Sequence, residues 1–185
     1  MLPPPFIAVG NHDVAAVRRL LDDGADPNAW SPLHGQSLLF TASEVQDLTL
    51  VRLLLERGAN PNQRLTIRSG IRFGQDVTVL MYAPTAAIAA ALIESGADVN
   101  ARDKFGTTAL MNAAYHGTID VLQVLLDCGA DVTTRQSGML KATALELAEL
   151  AANLLRSWSA RSHVKGLSCY QEIISLLRTA PYATQ

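Results

Sequence analysis

The chain has 185 residues, is 49% hydrophobic and 17% charged, and carries a net charge of −2. That apolar content supports a buried core and excludes wholesale disorder, and the slight acidity offers no basic field for nucleic acid. Two cysteines, Cys128 and Cys169, without metal-ligand spacing argue against a disulfide framework or a zinc site and fit a reducing, cytoplasmic setting.

Residues 1–5 read as a stiff, extended, proline-rich lead-in with no signal-peptide pattern. Residues 6–9 read as a stunted first helix. Residues 13–22 form the second, with Asp13 near its positive end. Val14, Val17, Leu20 and Leu21 face inward, and Arg18 and Arg19 face solvent. The loop 30–36 carries Trp30, Pro32, Leu33 and His34 at its tip. Surface loops often hold binding groups, so Trp30 and Leu33 become candidate partner contacts, with local packing as the alternative for Trp30. His34 alone reads as a solvent-facing loop residue. Residues 37–43 and 48–57 form a helix pair, with Val51, Leu54 and Leu55 as the apolar stripe.

Residues 63–77 depart from this pattern. Thr78 lies 16 positions after Asn62, whereas Thr108 lies 8 after Asn100. Strand formers flank a Ser69-Gly70 pair, which signals a β-hairpin. With that pair as the turn, Arg68 faces Ile71, Ile67 faces Arg72 and Thr66 faces Phe73. Arg64, Arg68, Arg72 and Phe73 make the hairpin a charged, aromatic finger and candidate partner contacts; a tolerated loop insertion is the alternative. Pro84 then stops a short helix, and Thr85 caps the next, 86–95. No apolar run, 86–93 included, is long enough to span a bilayer.

Residues 103–133 give the plainest unit. Thr108 caps a helix over 109–115, Gly117 breaks it, and 119–128 form a second helix with Val121, Leu122, Leu125 and Leu126 on its apolar side. Gly129 ends it by accepting φ > 0. Phe105 falls at the loop tip and Tyr115 at the first helix end, with half-buried packing between repeats as one reading of Tyr115. Beyond it, Thr143 caps a helix of about 15 residues running to Trp158. Residues 159–166 form a basic polar linker, and Ser168 to Gln171 start a closing helix as a capping box. Leu150, Leu154 and Trp158 offer a dimer contact as the alternative to a monomer.

One motif recurs. Gly24-Ala25-Asp26-Pro27-Asn28, Gly58-Ala59-Asn60-Pro61-Asn62, Gly96-Ala97-Asp98-Val99-Asn100 and Gly129-Ala130-Asp131-Val132-Thr133 follow apolar helix ends at glycine spacings of 34, 38 and 33. Helix starts recur with it: Ser37-Leu38-Leu39-Phe40-Thr41-Ala42, Thr78-Val79-Leu80-Met81-Tyr82-Ala83, Thr108-Ala109-Leu110-Met111-Asn112-Ala113 and Thr143-Ala144-Leu145-Glu146-Leu147-Ala148. In this register the chain resembles the ankyrin-repeat family, without that family's usual Pro and His in the helix start. The resemblance implies an all-α solenoid of about five helix-turn-helix repeats (6–29, 30–63, 64–101, 102–134, 135–180). Inter-repeat hairpin loops join them in a single domain over residues 1–185, with atypical terminal caps.

No phosphate loop, His-Glu-x-x-His, Cys-x-x-Cys or Gly-x-Ser-x-Gly motif is present. The carboxylates of the Gly-Ala-Asp turns read as bonding their own backbone. No cofactor, metal or catalytic residue is therefore expected. The resemblance implies a non-catalytic protein-binding module. It meets another protein with an acidic surface through its concave groove and finger, using Trp30, Leu33, Arg64, Arg68, Arg72, Phe73, Phe105 and Tyr115. An inhibitor or immunity-type protein that blocks a toxin or enzyme is one alternative. A small enzyme or ligand-binding protein using the groove near Phe73 and Tyr115 is the other.

Overall fold

A computed structural model describes residues 3–31, 35–67, 74–137, 141–159 and 167–180. The backbone divides into two compact units, Met1–Asp98 and Val99–Gln185.

In the first unit the order is α1 (Pro4–Gly10), α2 (Val14–Asp22), α3 (Leu38–Glu44), α4 (Leu48–Glu56), β1 (Leu65–Ile67), β2 (Gly74–Val77), a 3-10 helix (Val79–Tyr82) and α5 (Ala86–Glu94). The extended lead-in is corrected here. Pro4 and Pro5 open α1 after Pro3, where the missing proline N–H costs nothing because first-turn amides have no intrahelical partner. The starts of the next helices are coded by side chains that occupy orphan amides. Asp13 accepts from Ala16 N at 2.8 Å and Ser37 from Phe40 N at 3.2 Å. Asp47 accepts from Thr49 and Leu50, and Thr85 from Ile88 at 3.3 Å. Leu38, Leu39, Phe40, Leu50, Val51, Leu53, Leu54, Leu80, Ile88 and Leu92 make the core. Phe40 meets Tyr82 edge to face at 6.1 Å.

The second unit contains α6 (Ala109–His116), α7 (Ile119–Asp127), α8 (Ala144–Ser159) and α9 (Leu167–Thr179). Thr108 caps α6 through Met111 N. The capping box lies at the start of α8, not α9: Thr143 N donates to Glu146 Oε2 at 2.7 Å, and Glu146 N donates to Thr143 Oγ1 at 3.3 Å. α9 already runs from Leu167, so Ser168 sits inside its first turn instead of capping it. α8 packs on α6 and α9, burying Leu147, Ala148, Ala151, Ala152, Ile173 and Leu177. Leu150 and Leu154 remain exposed on α8; Ser159, expected to open the linker 159–166, ends α8 instead, and the side chain of Trp158 and residues 160–166 lie outside the described residues.

The four Gly-Ala turns end their helices in the same way. The amides of Gly24, Gly58, Gly96 and Gly129 reach the carbonyl three residues back, and the following Ala amides reach five back, to Leu20, Leu54, Leu92 and Leu125, at 2.9 Å. This pair of bonds requires a left-handed residue, and these glycines hold φ between +82° and +93° with nothing within 4 Å of a Cβ. Backbone conformation alone therefore selects glycine there.

The hairpin register differs from the sequence expectation. β1 pairs antiparallel with β2 as Leu65↔Val77, Thr66↔Gln75 and Ile67↔Gly74, with a bulge between the first two pairs. Thr66 thus faces Gln75 and not Phe73, Ile67 faces Gly74 and not Arg72, and the proposed Ser69-Gly70 turn lies outside the described residues. The register is set at the base: Leu65 and Val77 are both buried, and shifting the pairing would remove one of them from the core. Asp76 absorbs the extra residue at φ +59°, a conformation that Asp tolerates better than most residues.

Candidate functional site

Three polar rungs tie the repeats together, and each is made by the Asn that closes a Gly-Ala turn. Asn28 Nδ2 donates to Gly58 O at 3.2 Å and its Oδ1 accepts from Asn60 N at 2.7 Å. Asn62 does the same to Gly96 O and Asp98 N, both at 2.8 Å. In the second unit Asn100 donates to Gly129 O at 3.2 Å and accepts from Asp131 N at 2.8 Å. The fourth turn has Thr133 in that place, and its hydroxyl donates back to Asp131 Oδ1 at 2.6 Å. Hydroxyl bonds from Thr133 and then Thr134 hold the Asp131 carboxyl below the usual range. These rungs supply the inter-repeat polar links in a chain whose helix starts lack the family His. The signal was visible as Asn recurring at positions 28, 62 and 100.

Trp30 stands on the first inter-repeat loop. Its backbone bridges Ser37, Ser31 N donates to Gln36 O at 2.7 Å, and Gly35 N donates to Ser31 O at 2.9 Å. The ring is 44% exposed. Gly35 presses on β1: a Cβ there would lie 2.5 Å from Thr66 O. The loop of Trp30 and the strand after Arg64 are therefore neighbours. Arg64 is exposed, and its Nη1 donates to Asp76 O at 2.9 Å, bracing the bulge. Leu33, Arg68, Arg72 and Phe73, the other predicted contacts of this unit, lie outside the described residues.

In the second unit Phe105 projects from a tight turn. Asp103 Oδ1 accepts from Phe105 N at 2.8 Å and Thr107 N at 2.7 Å, and Ser137 N donates to Phe105 O at 2.7 Å. The backbone is fixed while the ring is 46% exposed. Tyr115 lies at the opposite end of α6, about 9 Å further along the axis from Ala109. Its ring is 41% exposed and meets His116 edge to face at 5.3 Å. Its carbonyl accepts from the buried Tyr170 hydroxyl at 2.7 Å, and Cys169 Sγ donates to Gly117 O at 3.0 Å. Burial pushes both the Cys169 thiol and the Tyr170 hydroxyl up in pKa, so both stay protonated as donors to carbonyls at the end of α6. Sequence reading missed this clamp, which joins residues more than 50 positions apart.

Among the described residues no group of three or more His, Cys, Asp or Glu is placed to hold a metal ion. No helix of the described residues is long and apolar enough to cross a membrane.

Comparison with known proteins agrees with the repeat geometry. Residues 39–136 match the family model for ankyrin repeats (3 copies). The chain is 52% identical over 46 residues to an ankyrin repeat protein of Fowlpox virus (strain NVSL). It is 51% identical over 45 residues to ankyrin repeat and SAM domain-containing protein 6 of Rattus norvegicus, and 58% identical over 40 residues to the mitochondrial disaggregase of Bos taurus. These alignments cover 22–24% of this chain, and the chain spans only 5–9% of the relatives' own length. With the family model matching more than half of its residues, the protein belongs to the ankyrin-repeat family, whose repeats generally serve as protein–protein interaction modules and are typically non-enzymatic.

Proposed function

We propose that this chain is a non-catalytic module that binds another protein, with an acidic surface, through its concave groove and the β1–β2 hairpin. The observation that carries the reading is the state of Trp30, Phe105 and Tyr115. Each ring is more than two-fifths exposed, yet the backbone beneath each is fixed by loop, turn or helix hydrogen bonds. Large apolar groups held rigidly in water lose little conformational entropy on docking and have the composition of interface hot spots. Leu33, Arg64, Arg68, Arg72 and Phe73 complete the proposed contact set, with the arginines facing the partner's carboxylates.

The reading also takes residues 1–185 as one domain acting as a cytoplasmic monomer. The single domain is supported by the Gly-Ala register, which continues through all four turns, and by a family match that runs unbroken from residue 39 to 136. Urea unfolding followed by tryptophan fluorescence and by helix dichroism should then coincide; separate transitions would reject the single domain.

The function test is recovery of a partner from the native source, then titration calorimetry against it. Trp30→Ala, Phe105→Ala and Tyr115→Ala should together weaken binding at least tenfold, about 1.4 kcal/mol, with unchanged melting. Parent-like affinity of the folded triple variant would overturn the reading.

A further inference from the structure

We propose that the first unit carries a second docking surface, a basic cleft between α2 and α4 that takes an acidic segment of a partner protein. The cleft has a volume of about 400 Å³ and is lined by Arg18 of α2 and by Leu48, Thr49, Arg52, Leu53 and Glu56 of α4. None of these residues belongs to the loops that carry Trp30 or the hairpin, so this surface stands apart from the proposed function.

Arg57 pairs with Asp22 at 2.7 Å, Arg135 with Glu146 at 3.0 Å and Arg178 with Glu149 at 2.8 Å. Arg64 and Arg102 donate to carbonyls at 2.9 and 2.7 Å. Arg18 and Arg52 make no hydrogen bond or ion pair with any described residue, although both are exposed and line the same cleft. In a chain of net charge −2 they form a local inversion of sign. Two guanidinium groups on one cleft repel each other, and a carboxylate bound there offsets that repulsion while accepting forked, charge-assisted bonds.

The remaining lining groups define the segment. Leu48 is half-buried and Leu53 buried, giving an apolar wall and floor. Thr49 is exposed at the start of α4 and offers a hydroxyl donor. Glu56 stands one turn beyond Arg52 and repels a continuous acidic run. Asp47, just before α4, is already engaged by His12 and by the amides of Thr49 and Leu50. The fit is thus a peptide with spaced carboxylates and small or apolar residues between them. Because screening limits exposed charges to about 10 Å at 0.1 M salt, the attraction is local to this cleft.

The test uses the full chain and fluorescence anisotropy of a fluorescein-labelled Glu/Ala peptide, with a Gln/Ala peptide as the neutral control, at low salt. The Glu/Ala peptide should bind and the Gln/Ala peptide should not. Arg18→Gln with Arg52→Gln should weaken binding at least tenfold, Glu56→Gln should tighten it, and Arg19→Gln should leave it unchanged. All these variants should keep the parent's dichroism and melting. No binding to the unaltered chain, or parent-like binding by the Arg18/Arg52 variant, would overturn the proposal.

Discussion

Replacing Asn62 with Ala tests whether the asparagine rungs hold the repeats in register. The substitution deletes one donor bond to Gly96 O and one acceptor bond from Asp98 N, both at 2.8 Å. A net hydrogen bond is worth about 0.5–1.5 kcal/mol, and more is lost if the abandoned group cannot reach water. Asp98 N and Gly96 O lie in an exposed turn, so water replaces part of the loss and the lower half of the range applies. The expected cost is about 1–2 kcal/mol, read as a lower urea midpoint at constant slope. Thr133→Ala is the internal control. Its hydroxyl occupies the equivalent place in the fourth turn but bonds only two residues back, to Asp131, a local bond that the unfolded chain can also form, so its cost should be smaller. Asn62→Asp should fall between parent and Asn62→Ala, because it keeps the acceptor and loses the donor. Equal midpoints for Asn62→Ala and Thr133→Ala would refute the reasoning, since the rungs would then be geometry without energy.

Other outcomes follow from single contacts. Gly129→Ala should cost about 1–2 kcal/mol from its left-handed backbone alone, because nothing lies within 4 Å of its Cβ. Gly117→Ala should cost more, since its Cβ would meet Tyr170 Cζ and hydroxyl at 3.1 Å and disturb the bond to Tyr115 O; equal urea midpoints would show that Tyr170 is no clamp. Burial pushes the Asp47 carboxyl up, but the hydrogen bond from His12 and the amides of Leu50 and Thr49 outweigh it and leave it lowered. A lowered folded pKa gives stability that is present above the unfolded value, about 3.9, and lost as pH falls through the folded one. Asp47→Asn should therefore flatten the loss of stability below about pH 4; an acid-unfolding curve identical in slope would reject that role. Deleting residues 68–73 in favour of a tight Gly-containing turn should keep the pairing of Leu65 with Val77, leave melting unchanged and weaken partner binding at least tenfold. Unchanged affinity would remove the hairpin tip from the proposed contact set.

Legibility in the sequence followed the range of the interaction. Gly24, Gly58, Gly96 and Gly129 announce their turns because the left-handed residue, the apolar helix end and the Ala after it lie within six positions. Asp13, Ser37, Thr85, Thr108 and Thr143 announce helix starts for the same reason. The family resemblance made Phe105 and Tyr115 candidate contacts, and the structure leaves both exposed. The rungs from Asn28, Asn62 and Asn100 span 29–36 positions. A recurring Asn shows only that something is repeated, not what it touches.

The hairpin shows how a local signal loses to a distant one. Ser69-Gly70 is a sound two-residue turn signal on its own, and it predicted Thr66 opposite Phe73. The pairing actually formed answers to Leu65 and Val77, which the unit buries completely enough to set the register from below. Asp76 then absorbs the leftover residue in a left-handed bulge, and Arg64 spends a donor on its carbonyl. Fixing the strands at their base separates two tasks within one insertion. Leu65 and Val77 answer to the core, and the choice of residues at positions 68–73 is not needed to define the register. Three of those positions are Arg68, Arg72 and Phe73. In the proposed function these three face the partner, and the shortened variant, with its register held by Leu65 and Val77, separates that role from folding.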